Sequence, residues 1–273
     1  MDKIRKALDL ARLERQQQAN DDTPRALKTR GFAPPKPEAP GTITYTFTRV
    51  VPRMPEHLES QRVVSPGAPG AASAGFRMLR TQVLQRMIAQ NWRTLAILSP
   101  SPGEGRTTIA VNLAVHIAND QDHTVLLVDM DLRRPGVAAA FGFAPERGVE
   151  DVLAGHVDVR DCLYHPDGFD RLVVLPARQP VSHSSEILAG ARCRELVKEL
   201  RERYEKRIVI FDLPPVLTTD DALAFAQHVE CGLMVAVEGR TRREDLARSL
   251  ELLRATPIVG TMLNRAVSVA DTR

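Results

Sequence analysis

From Arg93 to the end of the chain, short apolar runs alternate with segments of helical periodicity, and no other feature limits the fold as strongly. The apolar runs are continuous, which is typical of strands that are buried on both faces of a sheet. These runs are TLAILSP, HTVLLVDM, RLVVLPA, RIVIFDLPP, GLMVAVE and IVGTMLN. We therefore expect an α/β fold, a three-layer sandwich in which helices cover both faces of a mostly parallel sheet.

The rest of the chain predicts further segments. Residues 1–20 carry apolar side chains at helical spacing with basic residues between them, which predicts an amphipathic helix that is either solvated or in contact with a partner or a membrane. Residues 21–75 are rich in Pro, Gly and Ala and predict an extended linker with one short strand in TITYTFTRVV. Helical periodicity returns at Phe76, so residues 76–266 are predicted to form the main domain and residues 267–273 a short tail.

The net charge of the chain lies in its first 30 residues. Eight lysines and arginines against five acids give this segment a net charge of +3, equal to that of the whole chain. An anionic partner, such as a membrane surface or an acidic protein, is therefore expected at this arm, and 4% aromatic residues argue against nucleic acid. Three widely spaced cysteines without a CxxC pair, no signal peptide and no apolar run of spanning length predict a protein of the cytoplasm.

The stretch SPSPGEGRTT, which follows the first apolar run, has the character of a phosphate-binding loop. Its glycines allow turns that point backbone N–H groups at phosphate oxygens, and the next helix brings its positive dipole end to the same place. Thr107 is positioned to offer its hydroxyl to Mg²⁺ and Thr108 to support a phosphate. Arg106 stands where such loops carry lysine. The residues predicted to bind the phosphates are Pro102, Gly103, Glu104, Gly105, Arg106, Thr107 and Thr108.

Carboxylates end two further apolar runs. LLVDMDLRRP brings Asp129 and Asp131 to one side of an extended chain, where a buried pair of carboxylates needs a cation. In IVIFDLPP, the apolar strand residues are followed by Asp212, and a carboxylate at the end of a buried strand is the Walker B arrangement. We expect these three aspartates and Thr107 to hold Mg²⁺ beside a nucleoside triphosphate, the alternative being that Asp129 and Asp131 are helix-capping or surface residues. The last run ends in Asn264, which is either a contact to a purine base or a plain turn residue.

The combined pattern from about Phe76 to Arg265 resembles the bacterial tyrosine kinases of polysaccharide export, which are P-loop NTPases with a MinD/ParA-like fold. The motifs that carry the resemblance are FRMLRTQ, PGEG-TT, LLVDMDLRRP, GVEDVLAG, LVVLPA, SEIL, IVIFDLPP and GTMLNR. The opening MDKIRKALDLAR and the YTFTRVV segment are similar to the exosortase-associated cytoplasmic branch of this family.

This resemblance implies a cytoplasmic protein-tyrosine autokinase, a transferase that uses ATP and Mg²⁺ in exopolysaccharide and capsule biosynthesis. It also implies a membrane-embedded chain-length co-polymerase as partner, which would hold the kinase peripherally at the inner membrane. Formation of a homo-oligomer is a further possibility that the resemblance raises. Carried across, Asp129 and Asp131 form the additional Walker A′ site, Asp212 is the Walker B carboxylate, and Arg106 is catalytic together with the two Walker A′ aspartates.

Three departures from the family pattern leave other hypotheses open. Arg106 keeps the charge of the usual lysine on a bulkier planar group, which would weaken or stop phosphoryl transfer. The tail contains no tyrosine, so Tyr45 is the acceptor most able to reach another subunit, and Ala74 replaces the glutamate of the ring contact. One alternative is therefore an inactive, nucleotide-dependent regulator of the same machinery. The other is a MinD/ParA-type ATPase, which Ser101 disfavours because those proteins carry a second lysine there.

Overall fold

A computed structural model describes residues 48–204 and 206–266. The predicted helix of residues 1–20, the tail of residues 267–273 and Tyr45 lie outside the described residues. The described part of the chain contains an eight-stranded sheet. Its strands are β1 (Arg49–Val51), β2 (Thr94–Leu98), β3 (Thr124–Asp129), β4 (Tyr164–Pro166), β5 (Leu172–Leu175), β6 (Arg207–Asp212), β7 (Cys231–Val237) and β8 (Ile258–Asn264).

The sheet is mostly parallel, with strand order β1-β4-β5-β3-β6-β2-β7-β8. The six strands from β5 to β8 in this order pair in parallel. β4 pairs antiparallel with β5, and β1 pairs parallel with β4, so these two strands run opposite to the other six. The predicted α/β class is confirmed, because parallel neighbours require crossover connections and helices supply most of them here.

Helices follow most of the strands. They are α1 (Pro55–Ser60), α2 (Ala71–Ala89), α3 (Arg106–Ala118), α4 (Val137–Phe141), α5 (Val149–Ala154), α6 (Ser184–Ala189), α7 (Ala191–Glu202), α8 (Asp221–Ala226) and α9 (Arg243–Leu252). A short 3-10 helix spans Val159–Cys162.

Both faces of the sheet are buried, and successive strand residues alternate between two apolar clusters. In β2, Leu95 and Ile97 pack on the side of α2 and α3, whereas Ala96 and Leu98 pack on the side of α7 and α8. None of these four side chains is exposed to solvent. The two clusters explain why the apolar runs of the sequence are continuous, and they confirm the three-layer arrangement.

The described part of the predicted linker of residues 21–75 contains regular secondary structure. β1 matches the end of the predicted strand, α1 was not predicted, and α2 begins at Ala71 rather than at Phe76. The hydroxyl of Ser73 donates to the carbonyl of Pro66 at 3.1 Å, which joins the Pro-rich turn to this helix. The predicted helix start at Phe76 was wrong because the Ala-rich stretch before it also favours a helix, and the domain boundary at residue 76 stays a prediction.

Two further sequence predictions differ from the structure. β4 was not predicted, because three residues are too few for a strand pattern. The segment SEILAGARCRELVKELRERY has the pattern of a single helix, but it forms two helices, α6 and α7, since Gly190 between them adopts an extended conformation (φ −68°, ψ 159°).

Candidate nucleotide-binding site

The loop and the strand-end carboxylates lie together at the carboxyl edge of the parallel strands. In the register of β3 and β6, Asp129 is paired with Asp212. In the register of β2 and β6, Ile97 is paired with Asp212, and β2 ends one residue later at Leu98, where the loop begins. Neighbouring strands lie about 4.8 Å apart, so the loop and the two aspartates are carried by three adjacent strands.

Two glycines shape the loop. Gly103 (φ +74°) and Gly105 (φ +90°) both adopt the left-handed backbone conformation that other residues rarely adopt. A Cβ atom on Gly105 would lie 2.4 Å from Nδ2 of Asn264. α3 begins immediately after Gly105, with Thr107 and Thr108 in its first turn. The unpaired N–H groups and the positive dipole end of this helix therefore face the loop, as an anion site requires.

Thr107 and Asp212 form a hydrogen-bonded pair at the foot of the loop. Oγ1 of Thr107 donates to Oδ2 of Asp212 at 2.6 Å. Asp212 is 1% exposed, and its Oδ1 has no hydrogen-bond partner among the described residues. Burial raises the pKa of Asp212 to about 6, although the guanidinium of Arg106 and the Thr107 hydroxyl oppose this rise. A buried carboxylate oxygen without a partner, beside a hydroxyl, is a donor set that fits Mg²⁺.

Asp129 uses its oxygens to bind backbone N–H groups. Oδ2 accepts from the N–H groups of Gly136 and Val137, both at 2.9 Å, and Oδ1 accepts from the N–H of Asp131 at 3.2 Å. Burial, followed by the nearby charge of Asp212, raises the pKa of Asp129 well above its usual value. Asp129 therefore caps the turn that leads into α4, which is the structural alternative of the sequence analysis. Its role as a metal ligand stays a prediction.

Asp131 is buried at the end of the same turn. Its Oδ1 accepts from the N–H of Arg134 at 3.0 Å, and its Oδ2 lies 3.5 Å from Nη2 of Arg106. Burial raises the pKa of Asp131, and the Arg134 N–H and the Arg106 guanidinium oppose this rise. One oxygen of Asp131 is therefore held only by a long ion-pair contact.

The guanidinium of Arg106 is turned into the protein, and the residue is 8% exposed. Nε donates to the carbonyl of Leu213 at 2.6 Å, and Nη1 donates to Oγ of Ser99 at 2.6 Å and to the carbonyl of Ser101 at 3.2 Å. With the contact to Asp131, four of its five N–H groups have protein partners. Arg106 thus joins the loop to the ends of β2, β3 and β6, and its predicted catalytic role stays a prediction.

The three aspartates do not form a ready-made metal cluster. The described residues contain no group of three or more His, Cys, Asp or Glu side chains arranged to hold a metal ion. The reason is that Asp129 and Asp131 are bonded to backbone N–H groups and to Arg106 instead. Mg²⁺ is usually held by one or two carboxylates together with water and substrate phosphates, so Thr107 and Asp212 remain suitable ligands without such a cluster.

Asn264 and Glu104 bind the loop itself. Nδ2 of Asn264 donates to the carbonyl of Glu104 at 2.9 Å, and its Oδ1 accepts from the N–H of Arg265 at 2.9 Å. Contact of Asn264 with a purine base stays a prediction. Glu104 is 1% exposed, and its carboxylate accepts from the N–H of Ser101 and from the hydroxyl of Thr241. Its side chain therefore shapes the loop from within.

Two exposed arginines that the sequence analysis missed lie against the loop. Nη2 of Arg240 donates to the carbonyl of Pro102 at 3.3 Å, and Nη1 of the same side chain donates to the carbonyl of Gly103 at 3.4 Å. Nη2 of Arg265 lies 3.5 Å from the same Gly103 carbonyl. No motif contains Arg240, and Arg265 ends the motif GTMLNR, in which Asn264 alone was assigned a ligand contact. A signal common to both arginines was their position after β7 and β8, since ligands of such folds bind beyond the carboxyl ends of the strands.

The turn that carries Asp131 is fixed by a second buried carboxylate. Nε and Nη2 of Arg133 donate to both oxygens of Asp221, which has no exposed surface, at 2.9–3.1 Å. The hydroxyl of Ser184 also donates to Asp221. These bonds join the turn after β3 to α6 and α8 and so position Asp131 from outside the site.

Comparison with known proteins identifies the family. The model of the AAA domain family (AAA_31) matches residues 92–240. Tyrosine-protein kinase YwqD of Bacillus subtilis is 30% identical over 194 residues, which are 70% of this chain and 80% of that protein. The chain belongs to the bacterial tyrosine-protein kinase family. The tyrosine-protein kinase etk of Escherichia coli is 31% identical over 206 residues, which are 74% of this chain and 28% of that longer family member.

Solved structures of the family agree with this assignment. The kinase domain of Escherichia coli ETK matches with a TM-score of 0.68 and 29% identity, covering 82% of this chain and 91% of that domain. MinD from Pyrococcus horikoshii, solved with Mg-ADP, matches in fold with a TM-score of 0.55 and 24% identity, covering 66% and 75% of the two chains. The predicted MinD-like P-loop sandwich is confirmed. Among the described residues, no helix combines the length and apolar character needed to cross a membrane.

Proposed function

We propose that the protein is a protein-tyrosine kinase that uses ATP and Mg²⁺ and regulates exopolysaccharide biosynthesis. The names of its relatives support the reaction. The structural observation that carries the proposal is the Thr107–Asp212 pair, whose unpartnered carboxylate oxygen would be satisfied by a cation at the phosphate loop.

Each part of the site has a separate task in this proposal. The N–H groups between Gly103 and Thr108 bind the phosphates, and Thr107 and Asp212 hold Mg²⁺. The ion, when bound, neutralises charge on the phosphoryl group that is transferred. Positioning and electrostatic stabilisation then contribute most of the rate enhancement.

Asp131 is the residue that we assign to accept the proton of the tyrosine hydroxyl. The tyrosine oxygen bonds to the γ-phosphorus of ATP, the bond from this phosphorus to the oxygen of the departing ADP breaks, and the hydroxyl proton moves to the carboxylate. Asp129 has both oxygens bonded to backbone N–H groups, whereas Oδ2 of Asp131 has only the 3.5 Å contact to Arg106. Burial raises the pKa of Asp131, which makes it a stronger base than an exposed aspartate.

The position of each tyrosine limits which one accepts the phosphate. Tyr164 is 4% exposed, and its hydroxyl accepts from the N–H groups of Glu146 and Arg147, so it is inaccessible. Tyr204 is 52% exposed but precedes the amino end of β6, while Asp212 lies at the other end. A strand of this length spans about 20 Å, so Tyr204 lies at the wrong edge of the sheet for transfer within one molecule.

Tyr45 is the acceptor that we propose. It lies outside the described residues, four positions before Arg49, the first residue of β1. β1 runs opposite to the parallel strands, so the chain enters it from the edge that carries the phosphate loop. Three strand spacings, about 14 Å, separate β1 from β3. Arg49, where the described strand begins, therefore lies at the edge that carries the phosphate loop, and this supports Tyr45 as the acceptor within one molecule or between two.

The second candidate function is a regulator that binds nucleotide without transferring phosphate. The burial of Arg106 favours it, because a guanidinium with four protein partners is less available to the transferring phosphate than a lysine ammonium would be. For either function we propose a membrane chain-length co-polymerase as partner and a peripheral position at the inner membrane. The net charge of +3 in residues 1–30 supports an anionic contact there.

The test is to incubate the purified protein with Mg-ATP and to map phosphotyrosine by mass spectrometry. We expect phosphate on Tyr45, loss of the signal in Tyr45→Phe, and an unchanged signal in Tyr204→Phe. Asp131→Asn should bind ATP and lose transfer. Nucleotide binding without phosphotyrosine would support the regulator, especially if Arg106→Lys gained transfer. No Mg²⁺-dependent binding of ATP in calorimetry would overturn both functions.

A further inference from the structure

Arg106 does not bring an accessible cation to the phosphate loop, although it occupies the lysine position of the motif. Its guanidinium is directed to the Leu213 carbonyl, the Ser99 hydroxyl, the Ser101 carbonyl and Asp131. Bound phosphates carry several negative charges in a small volume, and a nearby cation strengthens their binding. Another side chain at the loop is therefore needed to supply this charge.

Arg240 is held beside the loop by the turn that carries it. Its N–H donates to the carbonyl of Val237, the last residue of β7, at 3.2 Å. The next residue, Thr241, accepts from the N–H of Val237 at 2.8 Å and donates to the carboxylate of Glu104 in the loop. The backbone of Arg240 is thus positioned by the loop itself, while its side chain stays exposed.

The contacts of the Arg240 guanidinium are long. They measure 3.3 Å to the Pro102 carbonyl and 3.4 Å to the Gly103 carbonyl, longer than the 2.6 Å bonds of Arg106. Hydrogen bonds of this length are weak. The group can therefore turn toward an anion without losing a strong bond.

The guanidinium groups of Arg240 and Arg265 converge on the same carbonyl oxygen, that of Gly103. Among the described residues, neither side chain forms a salt bridge with a carboxylate. Two cations that converge in this way repel each other unless an anion lies between or beside them. The arrangement is what a polyanion at the loop would stabilise.

We infer that Arg240 is the phosphate-facing cation of this loop and takes the place of the missing lysine, with Arg265 as a second, weaker contributor. The inference rests on the proposed function, because it assumes that the loop binds a nucleotide. The ligand chemistry is a chain of two or three phosphates, and neither the base nor the tyrosine substrate is required.

The experiment measures binding to the full chain by calorimetry with two probes, Mg-ATP and Mg-tripolyphosphate. The variants are Arg240→Gln, which keeps N–H donors without the charge, and Arg240→Lys, which keeps the charge. Arg243→Gln is the matched control, since Arg243 is an exposed arginine three residues further along at the start of α9.

We expect Arg240→Gln to weaken both probes by about tenfold or more, the equivalent of one charge-assisted contact. Arg240→Lys should stay within about threefold of the wild type, Arg243→Gln should be unchanged, and the salt dependence of binding should be smaller for Arg240→Gln. Wild-type affinity in Arg240→Gln, or equal losses in the Gln and Lys variants, would overturn the inference.

The two probes separate this inference from the proposed function. Wild-type binding of tripolyphosphate without binding of ATP would leave the role of Arg240 supported, provided that Arg240→Gln weakened it, and would remove the nucleotide function. Binding of neither probe by the wild type would overturn both.

Discussion

Replacing Asp212 with asparagine removes one buried charge at the candidate site and keeps its shape. The carboxylate is 1% exposed, accepts from Thr107 through Oδ2 and leaves Oδ1 without a hydrogen-bond partner among the described residues. Asparagine keeps an oxygen for the Thr107 hydroxyl. The folded protein therefore no longer has to hold an ionised group in a desolvated position.

The expected change in stability depends on pH. Burial raises the pKa of Asp212 from 3.8 to about 6, so the folded state binds the proton more tightly than the unfolded state. Stability therefore falls as pH rises from about 4 to about 6, and the loss is complete above pH 6. A shift of about two units corresponds to roughly 3 kcal/mol. The new amide N–H₂ without a partner costs about 1–3 kcal/mol at every pH.

The assay is urea unfolding of the metal-free protein between pH 4 and pH 8. Relative to the wild type, Asp212→Asn should gain roughly 3 kcal/mol between these limits and be at least as stable at pH 8. Mg²⁺-dependent binding of ATP should be lost. Asp167→Asn, an exposed aspartate at the opposite edge of the sheet, is the charge-matched control. A stability difference that does not change with pH would refute the reasoning, because the cost of burying the Asp212 charge would then be absent.

Two further predictions concern the loop and its support. Gly105→Ala would place a Cβ atom 2.4 Å from Asn264 on a residue whose φ is +90°. We expect the free energy of unfolding in urea to fall by about 1–3 kcal/mol and ATP binding to weaken. The control is Gly67→Ala, whose Cβ atom would meet no neighbouring atom and which should change neither quantity. Arg133→Gln leaves the buried Asp221 with Ser184 as its remaining side-chain partner. This variant should lower the free energy of unfolding by about 1–3 kcal/mol and slow phosphoryl transfer more than it weakens ATP binding. An unchanged transfer rate would show that the turn after β3 is positioned independently of the Arg133–Asp221 pair.

The fold could be predicted because apolar runs and loop glycines indicate local structure within a few residues of the chain. A run such as TLAIL has no polar side chain long enough to reach solvent, so it predicts a strand covered on both faces, and β2 is buried over its whole length. The glycines of the loop are likewise a local signal, since Gly103 and Gly105 are needed for positive φ. β4 was difficult to predict because it has three residues and depends on its neighbours in the sheet.

The sequence predicted where the candidate site lies in the fold, but it did not predict the hydrogen bonds within the site. The sequence placed Thr107, Asp129 and Asp212 at strand or loop ends, and the structure brings these ends to one edge. Both oxygens of Asp129 bind backbone N–H groups, while Oδ1 of Asp212 has no partner among the described residues, and this difference depends on the turn at Gly136 and on packing. Neither is encoded in the spacing of the motif.

By itself, the sequence determined the layered α/β architecture and the presence of a glycine-containing loop before a helix, because apolar continuity and glycine positions act within a few residues. The tertiary structure alone decided the direction of each charged side chain. Arg106 meets Leu213 and Arg240 meets Gly103 across more than 100 positions of the chain. Such contacts are set by the order of strands in the sheet, and a buried guanidinium takes whichever oxygen atoms that order brings within its reach.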